Sequence, residues 1–209
     1  MTENDIKINW YYFRSLTRQL HDTEQFVDHS LDVNGNMINS STCSNEFAKI
    51  LMLAASEFEV IAKSLCVESG VSLPWNANII RITKEITATY ANIGNTIIST
   101  PYLTMTPLCG WQVIQVPNRN GNLVEKVDGI QWWDDHNGVK HNRRDSFHLA
   151  NLKNCIDAMG SLMVLELYLS QKAIGNVDAI TTISCDYFSC DYGLSNLVVN
   201  PGNKLPDFP

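Results

Sequence analysis

No stretch of this 209-residue chain strings together the roughly 18 to 20 apolar residues that a membrane-spanning helix needs. The richest run, from Met159 to Leu169, is interrupted by Glu166 and reads as a core helix. None of the six cysteines belongs to a CxxC pair. Cys66 and Cys155 fall within helical apolar patterns, where small buried thiols are common. Only Cys185 and Cys190 are near enough in sequence to react together, and a reducing compartment disfavours their pairing. The acidic, polar opening Met-Thr-Glu-Asn-Asp-Ile-Lys lacks the basic start and apolar run of a secretory signal, so a cytoplasmic location without a membrane partner is expected. A glycine-rich phosphate loop, a GxSxG elbow and an HExxH pair are also missing, which sets aside the well-marked enzyme classes. No cofactor is expected.

Positive charge is scarce as well. Fifteen Lys and Arg face 22 Asp and Glu, for a formal net charge of −7. A protein that binds nucleic acid over its whole surface is usually basic, so any such contact here must be local. The hydrophobic fraction of 44% and charged fraction of 18% describe a globular chain that can build one good core.

What the chain does have is helical periodicity. Trp10, Phe13, Leu16, Leu20, Val27 and Leu31 recur at helical steps and predict a first helix over about 9–31, ending in a turn around Gly35. Phe47, Ile50, Leu51, Ala54, Phe58, Ile61, Ala62 and Leu65 predict a second over about 45–69, with Ser44 as its N-cap and Gly70 past its end. Beside that stripe, Glu57, Glu59 and Lys63 read as a solvated face. Ile79, Ile86, Tyr90 and Ile93 allow a third helix to about 92. Over 96–116 two prolines and the alternating Trp-Gln-Val-Ile-Gln-Val predict short strands, with 118–122 as a possible hairpin tip. A last long helix is expected from about 144 to 171, its small residues Ala150, Ala158 and Gly160 admitting another helix closely. The fold class is therefore mainly α: a helical bundle over 1–175 with a short β-containing insertion at about 94–130. A C-terminal tail over 176–209 packs on the bundle or extends from it, and its last residues read as a loosely held arm.

One segment concentrates titratable groups. Gln131 to His148 reads QWWDDHNGVKHNRRDSFH and holds three of the five histidines together with Lys140, Arg143 and Arg144. At the start of a long helix, outward N–H groups and the helix dipole favour anions, and three cations there would build a small phosphate or carboxylate site. A histidine beside them is suited to proton transfer near neutral pH. Plainer roles stand alongside: Trp132 and Trp133 as packing and not as a base-stacking platform, the cations as surface partners of Asp134, Asp135 and Asp145, and His148 as a helix-surface histidine. Asp134, Asp135, His136 and His141 are also metal-ligand types, although their spacing matches no metal motif.

Arg143-Arg-Asp-Ser-Phe-His148 resembles the Arg-x4-6-His motif of the HEPN superfamily, small helical bundles that include many metal-independent ribonucleases of toxin–antitoxin, phage-defence and CRISPR systems. The resemblance covers roughly 9–70 and 140–172. It implies a ribonuclease, often dimeric, in which Arg143 stabilises charge on the RNA phosphate and His148 acts as acid or base, with Lys140 and Arg144 holding phosphate. The run Trp-Trp-x5-Val-Lys-His-x-Arg is also similar to a group of uncharacterised bacterial proteins, and that similarity points to His141 in place of His148. A non-catalytic interaction module that docks a protein partner, and a nucleotide or small-anion sensor, are the alternatives from other functional classes.

Overall fold

The computed structural model describes residues 1–177, 180, 185, 187–190 and 204–208. These are mainly helical, with two small antiparallel sheets between the third and fourth helices. Helix α1 (Glu3–Asp22) starts earlier than its apolar stripe because Thr2 and Asp5 form a reciprocal capping box at the first turn. It ends at Asp22 and not near 31: a 3-10 turn (Thr23–Gln25) follows, in which the Thr23 hydroxyl donates to the Leu20 carbonyl at 2.7 Å. Helix α2 (Asn45–Glu68) has the expected Ser44 cap, whose hydroxyl accepts the Phe47 N–H at 3.0 Å. Helix α3 (Ile79–Thr89) is capped by Asn78 and stops short of 92.

The strands β1 (Ile98–Ser99), β2 (Thr104–Met105), β3 (Gln112–Pro117) and β4 (Leu123–Asp128) occupy the expected insertion. β3 and β4 form a hairpin in which Gln112 pairs with Asp128 and Pro117 with Leu123. Its tip is the predicted turn, where the Asn118 side chain accepts the Asn120 and Asn122 N–H groups.

The last long helix departs most from expectation. The segment that follows the hairpin divides into α4 (Gln131–His141), a single-turn α5 (Arg143–Ser146) and a 3-10 turn (Phe147–Leu149) before α6 (Leu152–Ile174) begins. Two asparagines punctuate it. Asn142 breaks the helix at φ −143° and ψ 56°, and Asn151, extended at φ −113°, caps α6 by accepting the Asn154 N–H. Phe147 and Leu149 thus fit the period of α6 but are half-buried in the connector.

α6 is buried on nearly all sides from Leu152 to Ser170, which makes it the central helix of the core, packed mainly against α2 and also against α1 and α4. The close approach anticipated at Gly160 is made by the β1–β2 ribbon and not by a helix: a Cβ there would stand 2.9 Å from Ile98 Cδ1 and 3.3 Å from Met105 Cε. Phe58 on α2 centres an aromatic cluster, with ring centroids 5.5, 5.0 and 6.0 Å from Trp111, Trp132 and Trp133. Both tryptophans of α4 are therefore packing residues, and Trp132 Nε1 donates to the Ser161 hydroxyl at 3.1 Å.

The expectation of a loose arm fails over 204–208. Asp207 accepts the Asn92 N–H at 2.9 Å and the Tyr168 hydroxyl at 3.0 Å, and Phe208 packs between Tyr90 and Tyr168. The rest of that expectation, 201–203 and 209, lies outside the described residues. Upstream, Tyr187 and Phe188 are buried against His29 and Phe13. Cys185 and Cys190 are both half-buried.

Candidate functional site

The helix-end donors expected to complete an anion site at the start of the last helix are not open. The first-turn amides of α6 are already taken: Leu152 N–H donates to the Thr42 carbonyl at 3.1 Å, Lys153 N–H to the Ser40 carbonyl at 3.0 Å, and Asn154 N–H to the Asn151 side chain at 3.0 Å. The loop before α2 covers that helix end, so none of these donors is left for a ligand.

The cationic residues lie instead on an exposed rim built by the end of α4 and the connector. Lys140, His141, Arg143, Arg144 and His148 are all exposed. Gly138 lets the connector fold back onto α4, since a Cβ at that position would sit 3.2 Å from Leu149 Cδ1 and 3.3 Å from Ser146 Oγ. The acidic residues expected to neutralise these cations are engaged elsewhere. Asp134 pairs with Lys126 at 2.8 Å, Asp135 accepts from Gln131 at 3.0 Å and from Asn154 at 2.8 Å, and Asp145 accepts from Asn142 at 3.0 Å. Among the described residues Lys140, Arg143 and Arg144 make no ion pair, whereas Lys7, Lys49, Lys63, Arg81, Lys84, Lys126 and Lys153 each have a carboxylate partner.

Beside the rim lies an open cavity of about 670 Å³ between α2, the start of α3 and α4. One helical face of α4 supplies Trp133, His136, Asn137 and Lys140; α2 supplies Glu59 and Lys63; the approach to α3 supplies Asn76 and Asn78. Lys140 is thus the one expected site residue that belongs to both features; Arg143, Arg144, His141 and His148 do not line the cavity. Glu59 and Lys63, paired at 2.6 Å, are half-buried at this wall and not on an open solvated face. Glu57 is likewise half-buried, and burial pushes its carboxyl pKa up.

His136 is the cavity's distinctive group. Only 5% of it is exposed, and its Nδ1 has no hydrogen-bond partner. Burial, reinforced by Lys140 and His141, pushes its pKa down to about 4, against the weaker opposing pull of Glu59 and the Trp133 carbonyl. The ring is therefore neutral at physiological pH. Among the described residues no three His, Cys, Asp or Glu side chains gather closely enough to hold a metal ion, and Asp134, Asp135, His136 and His141 form no such group.

Sequence reasoning placed His136 only among possible metal ligands, read Lys63 as part of a solvated face and gave Asn76 and Asn78 no role. The signal for Asn78 was available, because an asparagine before Ile-Ile-Arg-Ile is an N-cap pattern. A second unread residue is Glu166: it is fully buried in α6, neither carboxylate oxygen has a partner, and burial with the nearby Glu57 holds its pKa well above the usual carboxylate range. No family model matches the chain, and neither a curated protein nor a solved structure matches it.

Proposed function

We propose that the rim from Lys140 to His148 contacts the phosphates of RNA and that the protein is a HEPN-like, metal-independent endoribonuclease. The observation that supports this is three exposed cations close together in sequence with no carboxylate partner among the described residues, in a chain of net charge −7 where seven of the other twelve lysines and arginines are paired. Unpaired cations at one edge hold an anion at little cost in lost ion pairs, and three of them suit a phosphodiester backbone more than a single carboxylate. In this proposal Arg143, Arg144 and Lys140 hold and polarise the phosphate, and His141 at the end of α4 or His148 in the connector, both exposed, transfers the proton.

Cleavage of labelled structured and unstructured RNA in EDTA tests it, with wild type, Arg143→Ala, His141→Ala and His148→Ala compared. Loss of cutting in a folded Arg143→Ala protein and in one histidine variant is the expected result. No cutting by well-folded wild type, or cutting that survives Arg143→Ala, overturns it.

A non-catalytic interaction module has its own support in the α1 surface, where Ile8, Tyr11 and Tyr12 lie at helical spacing and are 57%, 55% and 41% exposed. In that case a stoichiometric partner, or a second copy in a dimer, covers this stripe. Sedimentation of wild type and Ile8→Glu, with copurification from the native cell, decides it: a monomer without a partner removes the proposal.

A further inference from the structure

We infer that His29 and Tyr187 form a proton-operated latch, which holds the C-terminal segment 187–190 against α1 and the edge of β1 and lets it go when the imidazole takes up a proton. The device stands apart from the cationic rim and needs none of Lys140, Arg143, Arg144, His141 or His148.

The segment is held in three ways. Tyr187 and Phe188 are both buried. The Phe188 ring stands 6.2 Å from Phe13 on α1, and the Tyr187 ring stands 5.7 Å from His29. Ser189 N–H donates to the Ser99 carbonyl at 2.8 Å and Ser99 N–H to the Ser189 carbonyl at 2.9 Å, an antiparallel bridge that adds the segment to β1. The contact in this anchor that a change of protonation reverses is the 2.9 Å hydrogen bond between Tyr187 and His29. Release leaves the outer edge of β1 unpaired at Ser99 and takes Phe188 off Phe13.

The hydrogen-bond pattern decides which nitrogen of His29 carries the hydrogen. The Thr23 hydroxyl donates to the Leu20 carbonyl at 2.7 Å, so at 3.0 Å it accepts from His29 Nε2. Nδ1 is then the bare nitrogen and accepts the Tyr187 hydroxyl. A proton added to Nδ1 reverses that bond: two hydrogens meet, and Tyr187 loses its acceptor. The new N–H has an anion to turn to. Glu24 Oε1 lies 3.5 Å from Nδ1, is shut off from water and has no hydrogen-bond partner. The neutral ring thus holds the tail, and the charged ring favours Glu24. The other titratable groups around it are Asp28 on the same loop, His21 near the end of α1, and Tyr102, which faces Glu24 from between β1 and β2. Burial opposes the charged ring most, Asp28 favours it and His21 opposes it, so the latched ring charges only near pH 4, against 6.5 in water. The latch is therefore fully effective above pH 6.5. Below that the released ring binds the proton first, and release gains about tenfold per pH unit down to about 4.

The test is amide hydrogen exchange on the full chain, read as protection factors at Ser99 and Ser189 between pH 6.5 and pH 5. Leu162 and Leu165, buried in α6, serve as the internal reference. Both serine amides are expected to lose protection by about tenfold per pH unit while the α6 amides keep theirs. His29→Gln can still accept the Tyr187 hydroxyl but takes up no proton, so its serine protection stays level over the same range. Tyr187→Phe removes the latching hydroxyl and lowers the protection of both serines about fivefold at pH 6.5. The wild-type series alone is decisive if a variant does not fold. Serine protection that stays flat with pH in wild type, or that falls together with that of α6, overturns the inference. So does a pH dependence that persists in folded His29→Gln, or protection untouched by Tyr187→Phe.

Discussion

The run from Gln131 to His148 is continuous in sequence and divided in space. Its first half forms α4, with Trp132, Trp133, His136 and Val139 turned into the core and the cavity. Its second half, past Asn142, keeps every charged side chain in water. Inside, an ionisable group gives up its charge, as His136 does, because burial raises the cost of the ionised form. Outside, the cations find no carboxylate partner among the described residues. The lesson is that a dense titratable cluster need not be one site: here a packing helix and an exposed cationic rim meet at Lys140.

The contrast is sharpest in stability. Trp133→Ala removes an indole from the cluster around Phe58 and is expected to cost about 3–5 kcal/mol, whereas Arg143→Ala stays within about 0.5 kcal/mol of wild type. Urea unfolding of the two variants measures both; equal losses would erase the distinction between the halves.

Glu166 extends the comparison to the deepest charged residue type in the core. Its folded pKa is raised above 4.5, so the folded protein holds a proton that the unfolded chain releases. Through this group stability is fullest below pH 4.5 and falls as pH rises, by about 1.4 kcal/mol per unit until the folded pKa is reached. Glu166→Gln keeps the shape without the ionisation, so its advantage over wild type is expected to widen between pH 5 and 7 in parallel denaturation curves. A constant difference across that range would show that the carboxyl has a partner in solution.

The buried histidines act in the opposite direction. His136 and His29 both have pKa values pushed down to about 4 from 6.5, chiefly by burial, so the unfolded chain takes up protons first as the solution is acidified. Stability through these groups is present above 6.5 and is lost as pH falls toward 4. His29 is held by Thr23 at 3.0 Å and by the Tyr187 hydroxyl at 2.9 Å. Histidine NMR titrations are expected to show His136 and His29 still neutral at pH 5.5.

The smallest effect belongs to the rim. If it contacts phosphates, Arg143→Ala lowers the slope of log affinity for RNA against log salt by about one and leaves the melting temperature in place. An unchanged slope would remove Arg143 from the contact.

Much of the fold was legible in the chain. The stripes of α1 and α2, the Ser44 cap, the hairpin tip at Asn118 and the central burial of Met159 to Leu169 all follow from local periodicity and capping chemistry, which need no distant partner. The helix over 144–171 was misplaced at its start because Phe147 and Leu149 keep the α6 period while Asn142 and Asn151 break the backbone. The cap pattern at Asn151 was the counter-signal, and it was local too. The site was less legible. Lys140 was singled out by the density of charge, but His136, Lys63 and Asn78 lie on three helices far apart in sequence, and no spacing rule joins them.

The sequence by itself determined that the chain is mainly helical, where its apolar faces lie and which segment concentrates cations, because these depend on neighbours within a turn or two. Only the tertiary structure decided which of the titratable groups lose their water. The loop at Ser40 and Thr42 closes the start of α6, the start of α3 stays open beside His136, and Glu166 is sealed in the core. Burial and amide occupancy are set by what packs across from a residue, and that information is distributed over the whole fold.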